Sequence, residues 1–417
     1  MRRPRSHHVL AAVALLAVAL LAGCGGVNAE AGKKIAGHKL TLYVGVPLDG
    51  PSSVSGTAVV NAARMALAEI HNRIGRYRLV LKVLDDATAA QGQWDPGQTS
   101  SNAVKAAADP TTIGYIGDLD SGASAVSIPI LNQAGVPQIS PASTAVGLTS
   151  SGPGSQPGEP AKYYPAHTRT FARVAPSDAV QATVLAELQR SLGCSKTYVL
   201  ADDEVDGEDL AASFSLAAPN AGLHVVGTQQ FDPKATSYSG VAAAVKSSGA
   251  NCVLVSAISG SNTVLVTEQV AAALPHARIF AGAGLAQSSY VDPQGGVPLA
   301  LDPRLLITSP ALAASAYPPA GRAFLERYTR AYGAPEPDAI LGYEATELML
   351  SAIRRATDNG HAPARRSAVA RAIFQTRERR SALGTYSIES DGDTTLNTYG
   401  VWRVVGGELR FWKKLAG

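Results

Sequence analysis

The sequence predicts an α/β protein of two doubly wound parallel-sheet lobes, and three observations carry that reading. Short runs rich in β-branched residues alternate with longer amphipathic stretches, the pattern of βαβ units. The alternation comes in two similar sets along the chain, each suited to its own doubly wound sheet. The 417 residues, 46% hydrophobic and 17% charged, supply ample core but more chain than one core ordinarily holds, since domains run to about 100–200 residues.

The first stretch stands apart from the fold. Arg2, Arg3 and Arg5 precede an uncharged run over 9–22 that ends in Leu21-Ala22-Gly23-Cys24, which is the order of a secretory signal peptide over 1–23. The run is short of the roughly 20 residues a spanning helix needs. Small residues before Cys24 predict lipid attachment to its thiol, and two or more acyl chains anchor stably to a membrane. Arg2-Arg3 fits twin-arginine export as well as the general route. Residues 24–38 then read as a tether.

A first strand over 40–46 leads into a helix over 57–74, where Val60, Ala63, Leu67, Ile70 and Ile74 recur at spacings of three and four and predict one buried face. Strands over 79–84 and 113–116 flank a helix over 98–108. A helix over 122–133 passes through Gly135 into a strand over 137–140. The Gly/Pro-rich stretch 149–165 has no periodic apolar face and reads as a surface loop.

Alternation then resumes. Strands are predicted over 169–173, 197–201, 224–230, 252–257 and 278–282, with helices over 179–192, 207–218, 238–248 and 262–273 between them. A run over 305–309, helices over 321–332, 341–356 and 367–375, and a hairpin of 398–405 with 408–414 about Gly406-Gly407 follow. These extra elements predict that the chain crosses between lobes more than once.

Three cysteines are present. With Cys24 assigned to lipid, Cys194 and Cys252 remain in an oxidising compartment. Each precedes or opens a predicted strand, and if those strands are parallel neighbours both thiols share one end of a sheet, which predicts a disulfide. Two separate buried thiols are the alternative.

Several function classes have no support. The formal charge of +3 is small, and the basic residues Arg365-Arg366 and Arg377 to Arg380 read as a solvated helix face, so no nucleic-acid partner is expected. No Gly-x-Ser-x-Gly elbow, His-Glu-x-x-His pair or Gly-x-Gly-x-x-Gly follows the first strand. His38, His71, His167, His224 and His276 share no ligand spacing. Neither metal nor cofactor is expected, and an enzyme is the weaker alternative.

Ligands of open parallel sheets bind outside the carboxyl ends of the strands, which selects the loops 47–52, 117–124 and 140–144 in the first set and 202–207, 257–261 and 282–285 in the second. Ser121 and Gly122, at a predicted helix start, offer a hydroxyl and free backbone N–H groups that favour an anion; the plainer role for Ser121 is to cap its helix. Thr144, in a turn opened by Pro141 with Ala142 and Ser143, could aim at the same point. Asp85-Asp86 follow the second strand as caps or solvated charges. Packing is expected for Tyr343 and solvent for Glu344.

At these residues the sequence resembles the type I periplasmic binding proteins of branched-chain amino-acid ABC transporters. The matching stretches begin at Tyr115-Ile-Gly-Asp-Leu-Asp-Ser-Gly, Ile130-Leu-Asn-Gln-Ala-Gly-Val-Pro, Phe171-Ala-Arg-Val-Ala-Pro-Ser-Asp and Gly342-Tyr-Glu-Ala, spread in family order over nearly all of the chain after the leader. The resemblance implies a three-crossing hinge and Venus-flytrap closure on a small molecule passed to permease subunits, by a monomer lipid-anchored on the extracytoplasmic face of the cell membrane. It also implies lobes of 39–168 plus 306–383 and of 169–305 plus 384–417. A membrane sensor is the alternative partner. Ser121, Ala142 and Thr144 stand where the family holds a ligand carboxylate. The second lobe departs: Asp206 replaces a tyrosine, Ile258 an aromatic residue, and Ala283 the acid that receives the ligand ammonium. The expected ligand is therefore a small polar, carboxylate-bearing solute whose amine is absent or differently placed.

Overall fold

The computed structural model describes residues 32–417; the signal peptide and Cys24 lie outside the described residues. Two sheets organise the chain. The first contains β1 (Lys39–Val46), β2 (Arg73–Ile74), β3 (Tyr77–Asp85), β6 (Thr112–Ile116), β7 (Gln138–Ser140) and β8 (Phe171–Arg173), in the order β2-β3-β1-β6-β7-β8. A small hairpin, β4 (Ala87–Thr88) and β5 (Gln93–Trp94), projects from it. The second contains β9 (Lys196–Ala201), β10 (His224–Gln230), β11 (Cys252–Ser256), β12 (Arg278–Ala281), β13 (Leu305–Ser309), β16 (Thr398–Val405) and β17 (Glu408–Ala416), in the order β10-β9-β11-β12-β13-β16-β17. A two-stranded ribbon, β14 (Arg379–Arg380) and β15 (Thr385–Tyr386), completes the strands.

The helices of the first lobe are α1 (Ser53–Glu69), α2 (Pro96–Ala108) and α3 (Ser121–Gln133). Those of the second are α4 (Asp178–Ser191), α5 (Val205–Ala217), α6 (Ser239–Ser247) and α7 (Thr263–Ala273). The chain then returns α8 (Pro319–Tyr332), α9 (Asp338–Ala356) and α10 (Arg366–Phe374) to the first lobe, where Phe324, Leu348, Met349 and Ile373 join Leu42, Val44 and Val59 in one core. All of β1 but Lys39 is buried, as a strand covered by helices on both faces must be. Gly342 permits the close approach of α9 to α1: a Cβ there would lie 2.9 Å from the Cα of Val59.

Parallel pairing of β9 with β11 sets Cys252 opposite Thr197, and Cys194 and Cys252 form a disulfide with Cα atoms 5.8 Å apart, within the ordinary range. The hairpin at Gly406-Gly407, both with positive φ, joins β16 to β17 as predicted.

Five expectations change. The first helix ends at Glu69, not at residue 74, because His71 and Asn72 adopt left-handed φ near 53° and the chain turns into β2, which still buries Ile74. The lobe boundaries also shift. Residues 171–173 pair with β7 in the first sheet and 305–309 with β12 and β16 in the second, while Ile388 lies in the first core. The three crossings therefore follow β8, β13 and Leu396, which still packs against the first core, since strand partners and not strand patterns decide sheet membership.

Residues 149–165 are not merely surface loop, because Tyr163 and Tyr164 pack with Ile128, Leu148 and Phe171. The basic residues are not a solvated helix face either: Arg366 donates to the carbonyls of Thr112 (2.9 Å) and Asp109 (2.7 Å). Arg379 pairs with Glu344 at 2.7 Å. Glu344, expected in solvent, is 1% exposed and also accepts from the Tyr386 hydroxyl. The ion pair is what makes a carboxylate tolerable there.

Candidate functional site

Both lobes turn the carboxyl ends of their strands toward one cleft. At the end of β6, Asp118 is fully buried and anchors the floor: it accepts from the Tyr115 hydroxyl at 2.8 Å and from the Ser127 hydroxyl. Burial holds its carboxyl up at about 6. Its own carbonyl accepts from Ser140 (2.7 Å) and Ser143 (3.2 Å), so the loop after β7 is tied to the loop after β6. Arg173, fully buried, fixes the same loop from below by donating to the carbonyl of Ala145 (2.7 Å) and to the Thr149 hydroxyl (2.8 Å) while paired with Asp393 (2.8 Å).

On this floor α3 begins at Ser121, whose N–H and hydroxyl point across the cleft. They meet Asp206 at the start of α5 in the second lobe: the Ser121 amide donates to Asp206 Oδ2 at 2.9 Å and its hydroxyl to Oδ1 at 2.6 Å. The Ser121 oxygen in turn accepts from the amides of Thr144 (3.1 Å) and Ala145 (3.2 Å). The donors that the sequence offers to an anion at this helix start are engaged by a carboxylate of the protein itself. A helix start favours such a charge through its free N–H groups and dipole.

Two neighbours of Asp206 on the same helix start act alike. Glu204 accepts from the Gln93 amide (2.7 Å) and the Trp94 indole (3.2 Å) of the β4–β5 hairpin. Asp209 accepts from the Val146 amide at 2.9 Å. Gly122 is required where these surfaces meet, because a Cβ there would lie 2.4 Å from Trp94 Cζ2 and 3.3 Å from Glu204 Oε2. On the opposite side of the cleft Ser289 donates to the Pro51 carbonyl (2.9 Å) and the Ser288 amide to Glu336 (3.0 Å). The lobes are closed.

The other predicted residues distribute as follows. Thr144 supports Ser121 through its amide. Ser143 is turned into the floor, its hydroxyl 2.8 Å from that of Ser124, and Ala142 packs against the first core. Ile258 joins Trp94 and Ala123 in a small apolar cluster between lobes. Its amide donates to Asp202 at 2.9 Å. Ala283 opens a 3-10 turn, Ala283–Leu285, with its N–H 2.8 Å from the side-chain amide group of Gln181 in its own lobe.

Glu204, Asp209, Gln93 and Trp94 were not singled out from sequence, although the acidic run from Asp202 to Asp209 was a signal that α5 begins with charge.

Carboxylates dominate the cleft. Burial, reinforced by Asp202 and Asp206, pushes Glu204 up to about 8. Asp202 and Asp209 rise to about 7, in each case first through burial. Asp120, preceding α3, is raised by burial and then by Asp206 and Glu204. Among the described residues no group of three His, Cys, Asp or Glu is arranged to hold a metal ion, and no helix is long and apolar enough to cross a membrane.

Residues 41–408 match the family model described as periplasmic binding protein. The chain belongs to that family. This periplasmic binding protein is similar to Leu/Ile/Val-binding protein homolog 3 of Brucella melitensis, 24% identical over 382 residues that cover 89% of this chain and 92% of the relative. It is also similar to Leu/Ile/Val-binding protein BraC3 of Rhizobium johnstonii, 23% identical and covering 89% and 93%. Among solved structures it resembles the leucine-binding protein LivK of Thermotoga maritima (TM-score 0.76, 22% identity, 90% and 99% of the two chains). It likewise resembles a Rhodopseudomonas palustris solute-binding protein in complex with 3,4-dihydroxybenzoic acid (TM-score 0.72, 17%, 91% and 98%). These likenesses show the two-lobe fold. Membership makes the periplasmic binding protein an extracytoplasmic solute binder and not an enzyme.

Proposed function

We propose that this chain captures one small polar solute between its lobes and presents the closed form to the permease of an ABC importer. The observation that carries the reading is the cleft itself, with strand carboxyl ends facing from both sides and hydrogen bonds from α5 of one lobe to α3 of the other. A site of that form can open, admit a molecule and close over it. The relatives named for leucine, isoleucine and valine, and the fold neighbours solved with amino acids or aromatic carboxylates, support transport of small polar molecules. Cys24 would tether the protein as a monomer beside its permease.

A solute carboxylate could reach the donors of Ser121 only by displacing Asp206. Ligand that binds only the native state raises its stability, so a thermal-shift screen of amino acids, keto acids, aromatic acids, amides and polyamines tests capture. At least one class is expected to raise Tm by several degrees, and a flat screen refutes the reading.

A further inference from the structure

We infer that the solute is a small organic cation, an amine or amidine without a free carboxylate, and that Asp120 is its counter-ion. The inference deepens the capture role proposed above and rests on it.

The carboxylate seat comes first. Both donors of Ser121 are engaged by Asp206, and the amides of Thr144 and Ala145 are spent on the Ser121 oxygen. A carboxylate solute would have to break this arrangement and leave Asp206 without partners in an acidic cleft.

Asp120 is the opposite case. It precedes α3 in extended conformation but does not cap it, and among the described residues no hydrogen bond reaches its carboxylate although it is 6% exposed. The charges that act on it most strongly, Asp206, Glu204, Asp338 and Asp118, are all carboxylates. A carboxyl group so enclosed by like charge must hold a proton or find a counter-charge. A cation seated against Asp120 supplies one.

Two further side chains point the same way, and one of them is uncharged. Gln287 is 3% exposed, and its amide lies between Ser52 Oγ of the first lobe (3.5 Å) and the Gly284 carbonyl of the second (3.4 Å). Its oxygen has no partner. The next residue, Ser288, bonds Glu336 of the first lobe, so Gln287 stands where the two lobes meet. Asp86, fully buried at the end of β3, has both oxygens unpartnered and Asp120 among its charged neighbours. An ammonium or amidinium brings several N–H donors and no acceptor, which is what these oxygens lack.

The test is titration calorimetry and thermal shift on the purified chain with putrescine and agmatine, set against leucine, benzoate and calcium chloride. Putrescine or agmatine is expected to bind and raise Tm, with leucine and benzoate inert. Asp120→Asn is expected to weaken amine binding by about tenfold or more while leaving the Tm of the ligand-free chain equal or higher, because it removes an ionisable group set among other carboxyl groups; a variant that simply misfolds would lower it. Binding of leucine or benzoate without the amines overturns the cation inference and leaves capture standing. A response to calcium alone overturns it in favour of a metal ion. Silence from every probe overturns capture and the inference together.

Discussion

Asp206 of the second lobe sets its two carboxylate oxygens on Ser121 of the first, 2.9 Å from the amide nitrogen and 2.6 Å from the hydroxyl. This pair joins the two sheets at the start of a helix, where partial positive charge is concentrated. Hydrogen bonds to a charged group contribute about 1.5–3 kcal/mol, so the pair is a latch of the magnitude needed to bias an open–closed equilibrium.

Asp206→Ala should therefore shift the protein toward open lobes. A larger radius of gyration by small-angle X-ray scattering is the expected result, together with benzoate binding that the parent lacks, as the seat on Ser121 becomes free. Scattering identical to the parent would refute the latch.

Gly122→Ala tests how tightly the β4–β5 hairpin packs on α3. The added methyl would meet Trp94 at 2.4 Å, and overpacking of this kind costs about 1–3 kcal/mol. Trp94 belongs to the same lobe as Gly122, so the clash is present whether the lobes are open or closed, and the indole must move off Glu204 to relieve it. Tryptophan emission is expected to move to the red and Tm to fall by a few degrees, and an unchanged spectrum would count against the tight approach.

Stability should fall as pH rises. Asp202 and Asp209 sit at about 7 and Glu204 at about 8 in the folded chain, against about 4 for such groups unfolded. Between those values the native state binds more protons than the unfolded one. Their favourable contribution is complete below about pH 4 and is lost as pH climbs through 7 to 8. Calorimetry on ligand-free protein should give a higher Tm at pH 6 than at pH 8.5; equal values would show that these carboxylates are not desolvated.

Replacing both Cys194 and Cys252 by alanine should destabilise the chain by about 4 kcal/mol, the loop-closure figure for partners 58 residues apart. Urea unfolding measures it, and a loss under about 1 kcal/mol would place the constraint elsewhere.

The alternation of strands and helices was readable because burial imposes its period on local sequence: residues 224–230 and 305–309 were delimited without the fold. The disulfide followed from two strand positions. What escaped was partnership. Residues 305–309 read as a strand but gave no sign of which sheet they joined, and Glu344 looked like a surface acid because Arg379 and Tyr386 are 35 and 42 positions away. At the site, Ser121 and Gly122 were recognisable as an anion-binding helix start, since that chemistry is local to a few consecutive residues.

The sequence by itself thus determined the two α/β lobes, the cleft at their strand ends and the donors on α3. Only the tertiary structure decided what those donors hold. Asp206 is 85 residues from Ser121 along the chain, and no local pattern encodes a hydrogen bond that exists only when two separately formed lobes close on each other.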